Sequence, residues 1–391
     1  MDAPRLLLHG LFIFVGVATT MLGPLLPSLM RRWSLSDSQA GALFTAQFLM
    51  AVVGSLLVVW LMRHFRAWHL LLVGYCLCGT GVLGLAAPSW HWGFAGACLS
   101  GFGLGLINPT ANLSSASLMP GEPAKAINLL NFFFSIGATL APPVIAGFVD
   151  RDLSAWFPLA LSISMLGGTA IASRYFVADF EGSGGSKDAA AQRPHRFRFA
   201  ALSMTMLFIY VGVEVASGGW TPTYIQRVAG ADVVLAAAAP AALWGAVLVS
   251  RLATVWILRF ASVAAVLVSG IGLTLAGSVC ILLLPSPTVV IAGIAIIGLG
   301  LGPIFANTLA YFLEHYGKGA NHLSGLLFAA GGVGGGLLPL LIGELSDATG
   351  SLRLALWSIP ASAVVMFAVL AALTRARPGR NATSHLNGTP G

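Results

Sequence analysis

Long apolar runs, separated by short polar breaks, make up most of this chain. A helix that crosses a bilayer needs about 20 mainly apolar residues, and twelve runs have the length and composition of such helices. The polar stretch VADFEGSGGSKDAAAQRPHRFRF lies between the first six runs and the last six, and is typical of a flexible linker. The runs lie near 8–30, 38–62, 69–88, 93–117, 124–149, 155–176, 200–226, 232–258, 262–284, 288–313, 322–345 and 351–374.

This pattern predicts an all-α membrane protein with twelve transmembrane helices in two pseudo-symmetric six-helix bundles. The bundles would cover residues 1–176 and 200–375, with a cytoplasmic linker at 177–199 and a cytoplasmic tail at 376–391. The composition supports this interpretation, because 57% of the residues are hydrophobic and only 8% are charged. Soluble domains usually carry about 25% charged residues.

The distribution of positive charge predicts the orientation and excludes one class of partner. The net charge is +7, but Lys and Arg are scattered through short loops and form no basic stripe, so we expect no nucleic-acid partner. Most of the twenty Lys and Arg residues fall on one side if the N-terminus is cytoplasmic. The positive-inside rule therefore predicts a plasma (inner) membrane protein with both termini in the cytoplasm.

The two halves of the chain repeat each other. LFIFVGVA at 11–18 returns as LFIYVGVE at 207–214, and VVWLMRHF at 58–65 returns as TVWILRFA at 254–261. Equal topology in both halves indicates a parallel repeat, and transporters built that way bind substrate between the halves near the membrane midplane. Further matched positions are GFGLG at 101–105 with GLGLG at 298–302, Gly137 with Gly334, Pro142 with Pro339, and Asp150 with Asp347.

With this architecture, the chain resembles the major facilitator superfamily over its whole length. YVGVEVASGGWTPTYI at 210–225 and GFGLGLINPTAN at 101–112 resemble its fucose–glucose–galactose permease branch. The resemblance implies the major facilitator fold and transport of a sugar by alternating access. The chain departs from the family where Met62 and Phe65 replace an acidic residue and a glycine, and where Asn108 replaces the glutamate that carries the coupling proton in the branch.

Glu214 is the one acidic residue that lies deep in a predicted span, where the first half has Ala18. It lies about 21 Å along the helix from residue 200, and a charge at that depth costs at least about 2.5 kcal/mol unless a cavity, a partner or a proton offsets it. We predict that Glu214 binds the coupling proton, with Tyr210 one turn away as a hydrogen-bond partner; sodium is the rival ion. An ion pair with Arg251 is the structural alternative, but the two residues differ in depth by about 10 Å.

The seventh span also carries polar and aromatic residues around possible helix breakers. Tyr210, Glu214 and Thr221 share a helix face. Because Gly218, Gly219 and Pro222 interrupt the helical pattern, we expect a broken outer end that serves as a gate. Two aromatic residues, Trp220 and Tyr224, lie one turn apart in this segment. Trp220 would be the lid of the gate, or else an aromatic anchor at the membrane interface.

Amide side chains are frequent in the other predicted spans and suit a ligand with hydroxyl groups, because an amide both donates and accepts hydrogen bonds. The alternative role of each is a polar contact between helices. Trp244 could stack on the apolar face of a sugar. The amides are Gln47, Asn108, Asn112, Asn128, Asn131 and Asn307.

The sequence thus predicts a secondary transporter, proton-coupled, that moves a small polar solute, a monosaccharide, across the bilayer. A drug or amphipathic-metabolite exporter and a transporter-like nutrient sensor remain as alternatives. We expect a monomer with no cofactor and no metal. We also expect no enzymatic activity, since no nucleophile–base or metal-ligand spacing such as HExxH occurs.

Overall fold

A computed structural model describes residues 3–118, 123–174, 194–316 and 320–376 of the chain. We call residues up to 174 the first half and those from 194 the second half. The helices of the first half are α1 Ala3–Thr20, α2 Leu22–Trp33, α3 Asp37–Leu61, α4 Ala67–Leu83, α5 Trp90–Leu118, α6 Pro123–Asp150 and α7 Trp156–Ala172, with a short 3-10 helix at Gly84–Ala86. Those of the second half are α8 Pro194–Arg227, α9 Val233–Ala238, α10 Pro240–Ile257, α11 Val263–Leu283, α12 Pro287–Leu301, α13 Ile304–Tyr316, α14 Ala320–Thr349, α15 Leu352–Ala355 and α16 Ser358–Arg375.

Every predicted span coincides with a helix or a pair of consecutive helices, so the all-helical membrane fold is confirmed. Within the described ranges, nine helices are long and apolar enough to cross a bilayer, or ten if the bent pair α1 and α2 forms one span. The 29-residue α5 and the 17-residue α7 occupy the two remaining predicted spans. α8 begins at Pro194, within the predicted linker of residues 177–199. Residues 175–193 and those beyond 376 lie outside the described residues.

The first span is bent, whereas the seventh is not. α1 and α2 meet at an angle of 46°, and Pro24 explains the bend because its ring displaces the carbonyl four residues earlier and removes one helix hydrogen bond. α8 runs without a break from Pro194 to Arg227, so the predicted break near Gly218 and Pro222 is wrong. Pro222 leaves the Gly218 carbonyl without its helical partner, and Gly23 of α2 packs directly against that carbonyl.

Glycines at matched positions of the repeat hold matched pairs of helices together. In the first half, Gly16 of α1 lies on the backbone of α6, and Gly137 of α6 lies on the backbone of α1. In the second half, Gly334 of α14 lies on the Phe208 carbonyl of α8, and Gly212 of α8 faces Gly334. Small residues allow helix backbones to approach this closely in a membrane, so the sequence repeat corresponds to a repeated packing contact.

The glycine run at 331–336 packs α14 against its neighbours. α14 is continuous through this run, and each of its five glycines has a neighbour on another helix. Gly331 and Gly334 face α8, Gly332 and Gly336 face α3, and Gly335 faces both. Three helices therefore meet along one glycine face. The glycines of GFGLG at 101–105 likewise pack against other helices, because they lie on the backbones of α3 and α4.

We expect Gly16→Ala to lower the melting temperature of the detergent-solubilised protein. A Cβ at this position would overlap the backbone of α6 at Phe134, and such overpacking typically costs about 1–3 kcal/mol. The control is Gly10→Ala on the same helix, where a Cβ meets no atom within 4 Å. Equal melting temperatures for the two variants would contradict this packing role for Gly16.

Candidate functional site

Three side chains of the second half form a polar cluster inside the bundle. The Tyr210 hydroxyl donates a hydrogen bond of 2.6 Å to Oε1 of Glu214, as the one-turn spacing predicted. Nη2 of Arg251, on α10, lies 3.7 Å from the same oxygen. Tyr210 is fully buried, and its ring packs 6.0 Å from that of Phe305 on α13. Glu214 thus has a hydroxyl donor and a cation beside it.

The proximity of Glu214 and Arg251 corrects the expectation that they lie too far apart in depth. Arg251 is six residues from the end of α10 at Ile257, as the sequence suggested. A difference in depth between the two Cα atoms does not prevent the contact, because an arginine side chain carries its guanidinium several ångströms from the Cα atom. The ion pair is therefore present, although 3.7 Å is too long for a hydrogen bond.

Arg251 also connects the cluster to the first half of the chain. Its Nη1 donates to Oγ of Ser135 on α6 over 3.3 Å, and the Ser135 hydroxyl in turn donates to the backbone carbonyl of Asn131 over 2.9 Å. Nδ2 of Asn131 donates to Oδ1 of Asn112 on α5 over 3.2 Å, and Asn112 donates to the backbone carbonyl of Asn108 over 2.8 Å. An unbroken series of polar contacts therefore runs from Tyr210 to α5.

One face of α6 carries four polar residues, two of which contact the second half. Asn128, Asn131, Ser135 and Thr139 follow one another at spacings of three or four residues, so they share a face. Ser135 contacts Arg251 of α10, and Thr139 lies against Gly245 of the same helix. Asn128 is exposed and Asn131 is half-buried, so the face becomes accessible towards the N-terminal end of α6.

The other predicted amides lie apart from this cluster. Gln47 is 1% exposed and donates to the Ala18 carbonyl, which ties α3 to α1. Asn307 is buried and donates to the Pro303 carbonyl of its own helix segment. These two amides contact backbone, as expected for polar groups that stabilise helix packing.

The predicted aromatic residues of the site are packed inside the second half. Trp220 is fully buried and donates from Nε1 to the Pro339 carbonyl of α14, and Tyr224 donates to the Ile281 carbonyl of α11. A fully buried Trp220 is not an aromatic anchor at the lipid interface. Trp244 is buried beside Gly218 of α8, and Thr221 bonds to the Ser217 carbonyl of its own helix.

The two halves are joined by a polar network at the end of the bundle that the predicted orientation places outside. Oδ1 of Asp37 on α3 accepts from Arg227 of α8 over 2.7 Å, and its Oδ2 accepts from Ser346 of α14 over 2.6 Å. The carboxylate of Asp347 accepts from the backbone N–H groups of Asp37 and Ser38 over 3.0 and 2.8 Å. Asp347 therefore caps α3 from the opposite half and closes this end.

We expect Asp347→Asn to open this end more often, because an amide replaces a carboxylate that accepts two hydrogen bonds at a helix N-terminus. A loss of about 1 kcal/mol corresponds to about a fivefold change in population. Spin labels at the exposed Leu153 and Leu354 would report a longer distance. The control is Asp150→Asn, the repeat counterpart, which is exposed. A distance distribution unchanged by Asp347→Asn would exclude a closing role for the cap.

Sequence reasoning missed Ser135 and gave Arg251 only a structural role. A basic residue within an apolar span is rare and marks a functional position by default, so Arg251 carried a usable signal. Ser135 carried none, because serine occurs throughout such helices and only its contact with Arg251 distinguishes it.

Comparison with known proteins agrees with this architecture. A family model described as Major Facilitator Superfamily matches residues 8–339. Bypass of stop codon protein 6 of Saccharomyces cerevisiae (strain ATCC 204508 / S288c) is 26% identical over 383 residues, which cover 87% of this chain and 76% of that protein.

Solved structures with similar folds cover nearly the whole chain. A bacterial homolog of the human lysosomal transporter Spinster, inward-facing and unoccupied, aligns with a TM-score of 0.71 and 18% identity over 96% of this chain and 97% of its own. FucP in the outward conformation aligns with a TM-score of 0.66 and 19% identity over 96% of this chain and 99% of its own. FucP is a fucose:proton symporter of E. coli.

A peptide transporter, POT, in complex with sulfate aligns with a TM-score of 0.77 and 12% identity over 97% of this chain and 96% of its own. At these identities the similarity shows the fold alone. The family match, which spans most of the chain, and the two matched bundles of helices together show that this protein belongs to the major facilitator superfamily of membrane transporters.

Proposed function

We propose that this protein is a secondary active transporter that moves a small polar organic solute, a monosaccharide, across the inner membrane by alternating access with proton coupling through Glu214. The observation that carries the proposal is the series of contacts from Tyr210 and Glu214 through Arg251 to Ser135. It crosses from one half of the protein to the other, where transporters of this architecture bind their substrates.

Proton coupling follows from the position of Glu214 in this series. A proton on Glu214 removes the charge that attracts Arg251, and Arg251 is the residue that reaches the first half through Ser135. Protonation of Glu214 therefore changes a contact between the halves, as a coupled carrier requires. Among the described residues, Tyr210 and Arg251 are the ionisable groups in contact with Glu214.

The polar face of α6 supports a hydroxylated solute. Asn131 and Asn128 lie one and two turns from the Ser135 contact of Arg251. An amide carries donors and an acceptor; Asn131 donates to Asn112 and Ile127, and its Oδ1 is left to accept from a ligand. Sugar hydroxyls also donate and accept, so the two sets of groups are complementary. We further propose that both termini are cytoplasmic, that the end closed by Asp37 and Asp347 faces outwards, and that the protein works as a monomer.

The direct test is uptake by the purified full-length protein in liposomes. Labelled monosaccharides are supplied with an imposed proton gradient, a sodium gradient or no gradient. We expect accumulation with the proton gradient that a protonophore abolishes. Accumulation with the sodium gradient alone would identify sodium, and not the proton, as the coupling ion. Sugar binding without uptake would instead favour the sensor, and movement of amphipathic compounds but no sugar would favour the exporter.

A further inference from the structure

The guanidinium of Arg251 has more hydrogen-bond donors than the described residues occupy. A guanidinium carries five N–H donors, and the hydrogen bond to Ser135 at 3.3 Å is long. The nearest oxygen of Glu214, at 3.7 Å, balances the charge without forming a hydrogen bond. The side chain remains 32% exposed. Several donors of this cation are therefore available to a ligand.

Arg251 lies at the seam between the two halves. On α10 it follows Trp244 and Val247 at spacings of seven and four residues, and both of these are buried. Its contacts are with Glu214 and Tyr210 on α8 of its own half and with Ser135 on α6 of the other half. The free donors are thus beside the polar face of α6, where we propose that the solute binds.

A charge balance at this seam follows from the proposed proton on Glu214. With Glu214 ionised and Arg251 charged, the empty site has no net charge. When Glu214 takes up a proton, Arg251 becomes an uncompensated cation inside the bundle, and such a charge is costly in an apolar setting. A solute with one negative charge would restore neutrality, whereas a neutral solute would leave the loaded site with a charge of about +1.

We propose that the solute is a monosaccharide acid whose carboxylate is bound by Arg251 and whose hydroxyls contact the amides of α6. This inference rests on the proposed function and specifies its substrate class. A planar guanidinium binds a carboxylate through two parallel hydrogen bonds, and the unoccupied donors of Arg251 suit that geometry. Asn131 and Asn128 lie on the adjacent turns of α6. One proton and one monoanion then move together, without net charge.

The test compares labelled galacturonate with its neutral parent galactose, using the full-length protein in liposomes. An imposed pH gradient and an imposed membrane potential are applied separately. We expect accumulation of galacturonate with the pH gradient and no accumulation with the potential alone. Galactose uptake should be at least about 30-fold slower. Galacturonate uptake driven by the potential alone would overturn the charge balance.

Substitutions of Arg251 test its role in substrate binding directly. Arg251→Gln should lower galacturonate uptake about 100-fold, and Arg251→Lys about 10-fold because charge persists without the planar fork. The control is Arg259→Gln just beyond the same helix, where the guanidinium packs 4.2 Å from the Trp256 ring, outside the seam. Melting temperatures establish whether each variant is folded. If Arg251→Gln does not fold, the comparison of the pH gradient with the membrane potential in the wild-type protein decides the proposal.

The results also separate this inference from the proposed function. Proton-driven accumulation of galactose that is unchanged in Arg251→Lys would support the proposed transport of a sugar and would exclude an acidic substrate. Failure to bind or transport either compound or any other monosaccharide would reject both. Accumulation of galacturonate with the pH gradient in wild type, lost in Arg251→Gln, would support both.

Discussion

We expect Glu214→Gln to lower gradient-driven accumulation of substrate at least about 100-fold while exchange of internal for external substrate continues. The amide has the shape of the protonated acid and can still accept from Tyr210, but it cannot release a proton. A carrier locked in that form can still change its orientation with substrate bound, so it exchanges internal for external substrate. It cannot release the proton and change its orientation without substrate, so it cannot accumulate substrate. Accumulation and exchange would be measured separately in liposomes, with an imposed pH gradient and with preloaded substrate.

The matched control is Glu344→Gln, because Glu344 lies on α14 as an exposed carboxylate away from the polar series. That variant should accumulate substrate as the wild type does. Undiminished uphill uptake by Glu214→Gln would end the coupling proposal. Loss of exchange together with accumulation, in a folded protein, would instead give Glu214 a role in substrate binding only.

We expect Asn131→Ala to weaken substrate binding about 10- to 100-fold with little change in melting temperature. Asn131 lies on the polar face of α6, and its Oδ1 atom has no hydrogen-bond partner among the described residues. Loss of two hydrogen bonds to a ligand corresponds to about 2 kcal/mol. Affinity would be measured by calorimetry on the purified protein with a transported monosaccharide.

Asn307→Ala is the comparison, since Asn307 is buried and bonded to the Pro303 carbonyl. It should lower the melting temperature more than the affinity. The opposite pattern, with Asn131→Ala affecting only stability, would limit Asn131 to its contact with Asn112 between α6 and α5. This pair of variants therefore tests which of the predicted amides belong to a binding surface.

The helices were predictable because each depends on local composition. Apolar runs of about 20 residues must form helices in a bilayer, since no other backbone arrangement satisfies every N–H and C=O group there without neighbours. The repeat carried further information, because Gly16 and Gly137 correspond to Gly212 and Gly334, and both pairs bring helices together. The hydrogen bond from Tyr210 to Glu214 was predictable as well, because residues four apart in a helix are adjacent.

The predicted break of the seventh span was wrong, and the bend of the first span was not predicted, because glycine and proline weaken a helix without deciding whether it bends. Pro24 and Pro222 both remove a helix hydrogen bond, yet the bend occurs only between α1 and α2. In α8 the freed carbonyl of Gly218 is packed against Gly23, and the helix continues. Whether a weakened helix bends is decided by the helix beside it, which the local sequence does not specify.

The sequence by itself determined that this chain is a two-fold repeated helical membrane protein, and that Glu214 is its deep carboxylate. Only the tertiary structure decided that Arg251 reaches both Glu214 and Ser135, and that Asp347 caps α3 from the opposite half. Spans and repeats arise from the period and polarity of consecutive residues. Contacts between the halves join residues far apart in the chain, and they depend on helix tilt and side-chain reach, which no local pattern records.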